Sequence, residues 1–290
     1  MGQYNEAIDS CNTAIDLADL EQNNHDESFA YLYKGLALSE IAFTTANNET
    51  YTQAIKCFNE AIQHGDPKDH AYVAEALGGR GSVYAQLAVI ATSAERTSAT
   101  RDEKYRDSLL IDSCNDCANS SKMDSSNRFA YICKGDYNFS LGVYDEFATI
   151  YLNNDIFNKY ATTNYTNSMH NYEDAIWIDG LQVTGSKLWS RENWDKNIWA
   201  KISEVDLRSN NESGSAAANK EEAKISSSLQ TSETQSNVMP ITITGILKTV
   251  SGSQVVTPFA YQQPASPQVP EHTGENLSTN NSSESIQSIL

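Results

Sequence analysis

The stretch Phe29-Ala30-Tyr31-Leu32-Tyr33-Lys34-Gly35 returns 100 residues later as Phe129-Ala130-Tyr131-Ile132-Cys133-Lys134-Gly135. Five of the seven positions are identical, and the exchange of leucine for isoleucine preserves the character of a sixth. A match of this kind at a fixed distance indicates an internal repeat. We therefore interpret both stretches as parts of the same repeated structural unit.

A second pattern completes the unit. It consists of a tyrosine, then a small and an aliphatic residue, then a medium or aromatic residue, and then Ala-Ile. Good copies begin at Tyr4, Tyr51 and Tyr165, and a degraded copy begins at Tyr105. The apolar positions lie three and four residues apart, which is the spacing of one helix face and not the alternation of a β-strand. The pattern predicts a second helix in each unit, packed closely against its neighbours.

The two helices together resemble the tetratricopeptide repeat, a helix-turn-helix unit of about 34 residues. Gly35, Gly81 and Gly135 stand where that family places a small residue in its first helix. The resemblance covers about residues 1–180 and implies an all-α fold, an antiparallel helix-pair solenoid. The chain departs from the family because its second-helix tyrosines are 47, 54 and 60 residues apart. We expect the extra residues to lengthen the first helices or to add a short helix.

Two positions in the last unit are compatible with the start of a second helix. One is Leu141-Gly142-Val143-Tyr144, which needs no insertion, and the other is Tyr165. Only Tyr165 leads to an Ala-Ile pair, at Ala175-Ile176, so we favour it. Residues 143–157 are then expected to continue as helix.

Composition divides the chain into three parts. Residues 1–188 carry about three and a half repeat units, and the first unit lacks its first helix, which leaves an apolar face at that end. Residues 189–207 form a Trp-rich segment, interpreted as a helix that caps the last repeat through a stripe of Trp194, Ile198, Ile202 and Val205. Residues 208–290 are polar and are expected to be disordered, apart from a β-prone island at 239–261.

The charge balance bears on the choice of partner. The chain holds 38 acidic and 20 basic residues, for a net charge of −18. Such a surface repels nucleic-acid phosphates and anionic membranes, so neither is expected as a partner. No run approaches the ~20 apolar residues that span a bilayer, and no export signal precedes the repeats, so a cytoplasmic location is expected.

Motifs of catalysis do not occur in the sequence. We find no Gly-rich phosphate loop, no G-x-S-x-G and no H-E-x-x-H. The five cysteines suit a reducing compartment, and Cys114 and Cys117 form a C-x-x-C spacing without a second pair. We therefore expect no enzymatic activity, no cofactor and no bound metal.

The resemblance implies that the first helices line a concave groove, which holds a peptide or helix of a partner. Carried over to this chain, the groove residues are Phe29, Leu32, Leu36, Ser39, Glu75, Gly78, Ser82, Ala85, Phe129, Ile132, Asp136 and Phe139. The middle four are small apart from Glu75 and form a waist between two more apolar pockets. Glu75 and Asp136 repel a terminal carboxylate, so the expected ligand is apolar with neutral or basic flanks. The predicted function is a non-enzymatic protein–protein interaction scaffold.

Two other functions stay open. The missing first helix at the N-terminal end is also expected if the chain is a structural repeat module or a fragment of a larger protein. The spacing of Cys114 and Cys117 is compatible with a metal- or redox-linked regulator.

Overall fold

The computed structural model describes residues 2–66, 70–97, 102–178, 191–209 and 212–233, all within one compact unit. In these ranges the chain forms nine α-helices and no β-strand. They are α1 (Gly2–Glu21), α2 (Asn24–Thr45), α3 (Asn48–His64), α4 (His70–Thr97), α5 (Glu103–Met123), α6 (Arg128–Leu152), α7 (Ile156–Trp177), α8 (Arg191–Arg208) and α9 (Glu212–Glu233). The predicted all-α class is confirmed for this part of the chain. The β-prone island at 239–261 lies outside the described residues.

Short polar turns separate most of the helices, and local sequence encodes them. Asn23, Asn47, Asp102 and Asn127 precede α2, α3, α5 and α6, and each side chain accepts a hydrogen bond from a backbone N–H in the first turn of the next helix. Asn153 ends α6 in the left-handed conformation, with a φ of 48°. Connections this short make successive helices antiparallel.

The helices pack in the order in which they occur. Each one contacts the next along the chain, and α4 also packs on both α2 and α6. The first helices α2, α4 and α6 therefore form one row, against which the second helices α3, α5 and α7 are packed.

The extra residues of the later units lengthen their first helices, and in the last unit they also lengthen the second helix, because α7 begins at Ile156, well before Tyr165. The helix α4 has 28 residues and α6 has 25. Residues 143–152 continue α6, as expected, but the helix stops at Leu152 and not at 157. Because Tyr144 lies inside α6 and Tyr165 inside α7, the last second helix is the one that contains Tyr165.

Glycines of the first helices make room for aromatic rings of the second helices. Phe58 of α3 is fully buried between Gly35 of α2 and Gly79 of α4, where an added Cβ would come within 2.8 and 2.7 Å of its ring. Tyr172 of α7 packs in the same way against Gly135 of α6. Close approach explains why glycine stands inside three helices, although it costs each helix about 1 kcal/mol relative to alanine.

The degraded second-helix pattern is shifted by one residue from the predicted register. Tyr105 is 46% exposed, and the buried residues of α5 include Arg106, Leu109, Ser113 and Asp116. This set has the same spacing as the buried residues Tyr51, Ala54, Phe58 and Ala61 of α3.

Two ion pairs explain the shift in α5. Arg106 Nη1 donates to Glu95 Oε2 at 2.6 Å, and Asp116 accepts hydrogen bonds from Arg80 Nε and Nη2, both at 2.7 Å. A buried charge is tolerated when it is paired in this way. Hydrophobic spacing alone therefore led to the wrong register, because two charged residues occupy the inner face of α5.

A disulfide joins Cys117 of α5 to Cys133 of α6. Both residues are buried, and the bond corrects the expectation that the cysteines are reduced. Cys114 is a free, half-buried thiol, so the two cysteines of the C-x-x-C spacing are not bonded to each other. Disulfides persist mainly in oxidising compartments, and this bond counts against the reducing compartment that the cysteines suggested.

Counting thiols tests the disulfide directly. In urea without reductant, iodoacetamide is expected to modify Cys11, Cys57 and Cys114 only, because those three thiols are free. After reduction, all five cysteines should be modified, and mass spectrometry of the intact chain distinguishes the two results. Modification of five cysteines before reduction would show that Cys117 and Cys133 are not bonded.

The last two helices differ in how well the sequence predicted them. In α8 the stripe residues Ile198, Ile202 and Val205 are buried, as the interpretation of a capping helix requires, while the side chain of Trp194 lies outside the described part of the chain. The helix α9 corrects the expectation that disorder begins at residue 208. It places Ser215 and Ala218 against α8, with 2.9 Å between the hydroxyls of Ser203 and Ser215. Its four alanines and four glutamates favour a helix, but it has six serines and little apolar surface, so composition suggested disorder.

Candidate functional site

Two neighbouring cavities lie where α8 crosses the row of first helices. The first, called here the central cavity, has a volume of about 100 Å³ and is walled by α2, α4, α6 and α8, with Tyr51 of α3. Its lining residues are Leu36, Ser39, Glu40, Phe43, Tyr51, Gly79, Ser82, Val83, Gln86, Phe129, Ile132, Asp136, Asn197, Ile198, Ala200 and Lys201. The second cavity, of about 80 Å³, shares Phe43, Tyr51, Gln86 and Lys201 with it. The face predicted to be an open groove is thus covered by α8.

The structure distributes the twelve predicted groove residues over several places. Six of them line the central cavity, namely Leu36, Ser39, Ser82, Phe129, Ile132 and Asp136. Phe139 lines the second cavity, and Phe29 lines a different groove between α1 and α2.

The other predicted groove residues are buried between helices. Leu32 and Ala85 are fully buried, and Glu75 is buried close enough to Tyr33 to raise the pKa of that phenol further, after the larger effect of burial. Gly78 lies against the backbone of Phe129, where an added Cβ would be 2.8 Å from the carbonyl carbon. The expected waist of four α4 residues is therefore wrong in part, because α4 and α6 touch there and only Ser82 faces the cavity.

Asp136 is the centre of the polar wall. Its side chain is 1% exposed, and its Oδ1 accepts hydrogen bonds from Lys201 Nζ, from the Tyr172 hydroxyl at 2.6 Å and from Gln86 Nε2 at 3.3 Å. None of the described residues hydrogen-bonds its Oδ2. The Lys201 ammonium also lies 5.7 Å from the Phe43 ring centroid and 5.5 Å from that of Tyr172, within range of a cation–π interaction. One lysine of α8 thereby contacts α2, α6 and α7.

A second carboxyl, that of Glu40, lines the same cavity from α2. Burial raises the pKa of Glu40 to about 7, the Lys201 ammonium opposes this effect, and the Asp136 carboxylate adds to it. Glu40 therefore takes up or releases a proton near neutral pH.

Replacing Glu40 with glutamine tests this environment. A carboxyl whose pKa is higher in the folded chain favours folding below its unfolded value of 4.5, and this contribution is lost as the pH rises to about 7. We expect Glu40→Gln to be more stable than the wild type by about 1–3 kcal/mol at pH 8 and equally stable near pH 4. Urea unfolding at several pH values measures the difference, with the exposed Glu6→Gln as the control. A difference that does not change with pH would contradict the proposed burial of the carboxyl.

Several residues of the cavity were missed from the sequence. Phe43 and Gln86 each lie four residues beyond a predicted lining residue, Ser39 and Ser82, so extending the same helix faces by one turn would have found them. No local signal could have found Lys201, because its role depends on where α8 packs.

A larger groove, called here the N-terminal groove, runs between α1 and α2. Its volume is about 630 Å³, and it is lined by Ala7, Ser10, Cys11, Ala14, Leu17, Ala18 and Glu21 of α1 and by Asp26, Phe29, Ala30 and Tyr33 of α2. Small side chains form most of the α1 wall, while Leu17 beside them is 55% exposed. An apolar face was expected at this end of the repeats, and the groove is such a face.

Two carboxyls, those of Glu21 and Asp26, line the N-terminal groove. The helix α1 carries five acidic residues and no lysine or arginine, and Asp26 and Glu27 follow in the first turn of α2. Cys11 in the groove is half-buried, and burial raises the pKa of its thiol to about 11, although Lys34 opposes the shift. The thiol is therefore a slow nucleophile at neutral pH.

No family model, no curated protein and no solved structure matches this chain. The chain's own geometry must carry the argument about function.

Membrane-spanning helices and metal-binding clusters are two further features that would indicate a function, and neither occurs among the described residues. None of the helices described is both long and apolar enough to cross a membrane. The same ranges hold no cluster of three or more side chains suited to bind a metal ion. What the sites offer is a cavity with apolar walls and two carboxyls, and an open apolar groove with an acidic border.

Proposed function

We propose that this chain is a non-enzymatic protein–protein interaction scaffold made of stacked antiparallel helix pairs, which binds an amphipathic helix of a partner in the N-terminal groove. The observation that carries the proposal is the groove itself, because its apolar floor is open along a whole face of α1. Helix-in-groove binding uses apolar anchors at positions i, i+3 or i+4, and i+7, which fit such a channel. The resemblance to tetratricopeptide repeats supports the same class of function.

The surrounding charge selects the kind of helix. The carboxylates of Glu21 and Asp26, which line the groove, favour lysine and arginine on the flanks of the bound helix. A second copy of this chain is disfavoured as the partner, since pairing two α1 helices brings two sets of five acidic residues together. The partner is therefore a different protein with a basic amphipathic segment.

The concave face offers less room for a peptide. There α8 lies against the first helices, and the space that remains is divided between two cavities of about 100 and 80 Å³. The disulfide disfavours the redox alternative, because Cys117 is bonded to Cys133 and not to Cys114.

Selection from a displayed library of 20-residue helical peptides tests the proposal. We expect the full chain to enrich peptides with aliphatic residues at helical spacing and lysine or arginine on their flanks. Their affinity should fall as salt is added, because exposed charges are screened. Enrichment of acidic peptides, or of none, would count against the proposed function.

Two controls locate the binding site. Ala14→Trp fills the groove at an exposed position and should abolish binding, whereas Asn115→Trp, exposed on α5, should not change it. Bound peptide should also slow alkylation of Cys11 in the groove but leave the half-buried Cys114 on α5 unaffected. If the peptides bind equally well to Ala14→Trp and do not protect Cys11, another surface holds the partner.

A further inference from the structure

The helical hairpin of α6 and α7 is longer at its turn than the equivalent hairpin of α2 and α3. The helix α6 continues for 17 residues after Gly135, whereas α2 ends ten residues after the equivalent Gly35. On the other side of the turn, α7 begins nine residues before Tyr165, whereas α3 begins three residues before the equivalent Tyr51. Because a helix rises 1.5 Å per residue, each helix of the later hairpin is longer by about 10 Å.

The end of this hairpin, called here the hairpin tip and defined as residues 150–160, carries many exposed apolar side chains. Five of the eleven large apolar side chains that are exposed in the described part of the chain belong to it. They are Ile150, Tyr151, Leu152, Ile156 and Tyr160, and their exposed fractions lie between 38% and 76%. A contiguous apolar patch of this kind marks a surface that contacts another molecule.

The hairpin tip is electrically neutral, although the chain has a net charge of −18. Its charged residues are Asp155 and Lys159, one of each sign, and both are exposed. Asp155 directly precedes α7, but its side chain makes no capping hydrogen bond to the helix, so the carboxylate can face outward. Two copies of an acidic chain repel each other least where a neutral surface of one meets a neutral surface of the other.

We propose that the hairpin tip is the interface of a homodimer, in which the first two turns of α7 pack antiparallel against the same turns of a second copy. A two-fold axis makes such an interface self-complementary, because each contact between two different residues then occurs twice. With the axis near Phe157, Asp155 of each copy lies opposite Lys159 of the other. Ile156 and Tyr160 then form an apolar centre between the two ion pairs. A pair of α1 helices offers no such match, because their charged residues are all acidic.

The small size of the tip makes this dimer weak. The tip has eleven residues, whereas a standard interface uses about 20–30 residues from each partner. Small interfaces are typical of transient complexes, so we expect a dissociation constant of about 10–100 μM. Unfolding experiments at about 1 μM therefore report on the monomer.

Exchange of charges at the tip tests the proposal by sedimentation velocity of the full chain between about 1 and 200 μM. The wild type should form more dimer as its concentration rises. Asp155→Lys and Lys159→Glu should each weaken dimerisation about tenfold, because like charges then face each other twice. An equimolar mixture of the two variants should associate about as well as the wild type, since one variant offers two cations where the other offers two anions.

Two further variants separate the apolar contact from the ion pairs. Ile156→Ser removes a half-exposed side chain from the centre of the interface and should weaken dimerisation about tenfold or more. Leu20→Ser, at an 80% exposed position of α1, should leave dimerisation unchanged. Far-ultraviolet circular dichroism establishes that each variant keeps its helices.

Each of four other results would overturn the proposal. A wild type that is still monomeric at about 200 μM would show that the tip does not bind a second copy. A dimer that neither charge variant nor Ile156→Ser weakens would place the contact on another surface. Failure of the mixed charge variants to associate would exclude the antiparallel pairing. Binding of a monomeric wild type to phosphatidylcholine vesicles, lost in Ile156→Ser, would show that the tip contacts a lipid surface instead.

Discussion

Phe58→Ala is expected to lower the free energy of unfolding by about 3–5 kcal/mol, the range seen when a fully buried aromatic ring is removed. The ring is 0% exposed and fills the space between Gly35 and Gly79. Its loss leaves a void against three helices, because the glycines have no side chains that could move into it. Urea unfolding followed by far-ultraviolet circular dichroism measures the effect.

A matched variant distinguishes the stability lost by removing a buried ring from the stability lost by removing any apolar side chain. Ile150→Ala removes a side chain that is 76% exposed on α6, and its effect should stay within about 0.5 kcal/mol. Gly35→Ala should destabilise the wild type by about 1–3 kcal/mol through overpacking, and by less when Phe58 has been replaced by leucine. If Phe58→Ala behaves like Ile150→Ala, the proposed contact between ring and glycines is wrong.

Lys201→Met is expected to be the second large effect, with a loss of about 2–4 kcal/mol at pH 7. Asp136 is 1% exposed and loses its cationic partner, while the hydrogen bonds from Tyr172 and Gln86 remain. Removing one member of a buried ion pair leaves an uncompensated charge, and this costs about 3–5 kcal/mol when both members are fully buried. The Lys201 side chain is 24% exposed, so we place the effect lower.

A double-mutant cycle tests whether the loss comes from Asp136. In an Asp136→Asn background the charge is absent, so Lys201→Met should cost at least about 1 kcal/mol less than in the wild type. The exposed Lys56→Met on α3 is the control and should be close to neutral. Additive effects of Lys201→Met and Asp136→Asn would mean that the two side chains do not stabilise each other.

Much of the fold could be predicted because the same spacing of buried residues recurs along the sequence. The spacing of Tyr51, Ala54, Phe58 and Ala61 recurs at Tyr165, Ser168, Tyr172 and Ala175, and all eight residues are buried. Where the pattern contains charged residues, as at Arg106 and Asp116, the register depends on partners in other helices and could not be predicted from local spacing. The disulfide between Cys117 and Cys133 was missed for the same reason, since only the packing of α5 on α6 brings the two thiols together.

The candidate site was predictable only in part. Six of the twelve proposed groove residues line the central cavity, because the first helices do form one continuous face. The sequence could not indicate that α8 covers this face, since the contacts of α8 with α2 and α6 join residues that are far apart in the sequence. The N-terminal groove was foreseen as an apolar face, but its volume and the arrangement of its acidic border depend on how α1 packs on α2.

The contacts of Lys201 also affect how the chain unfolds. A linear array of repeats gains stability mainly from neighbouring units, so its ends can melt separately from its middle. Here α8 reaches back to Phe43 on α2 while holding Asp136 on α6, and these contacts link early and late units of the array. If either end of the array unfolds, the contacts between α8 and α2 are lost, and the other end is destabilised as well. The array should therefore unfold as one cooperative block, without the stepwise fraying of an open stack.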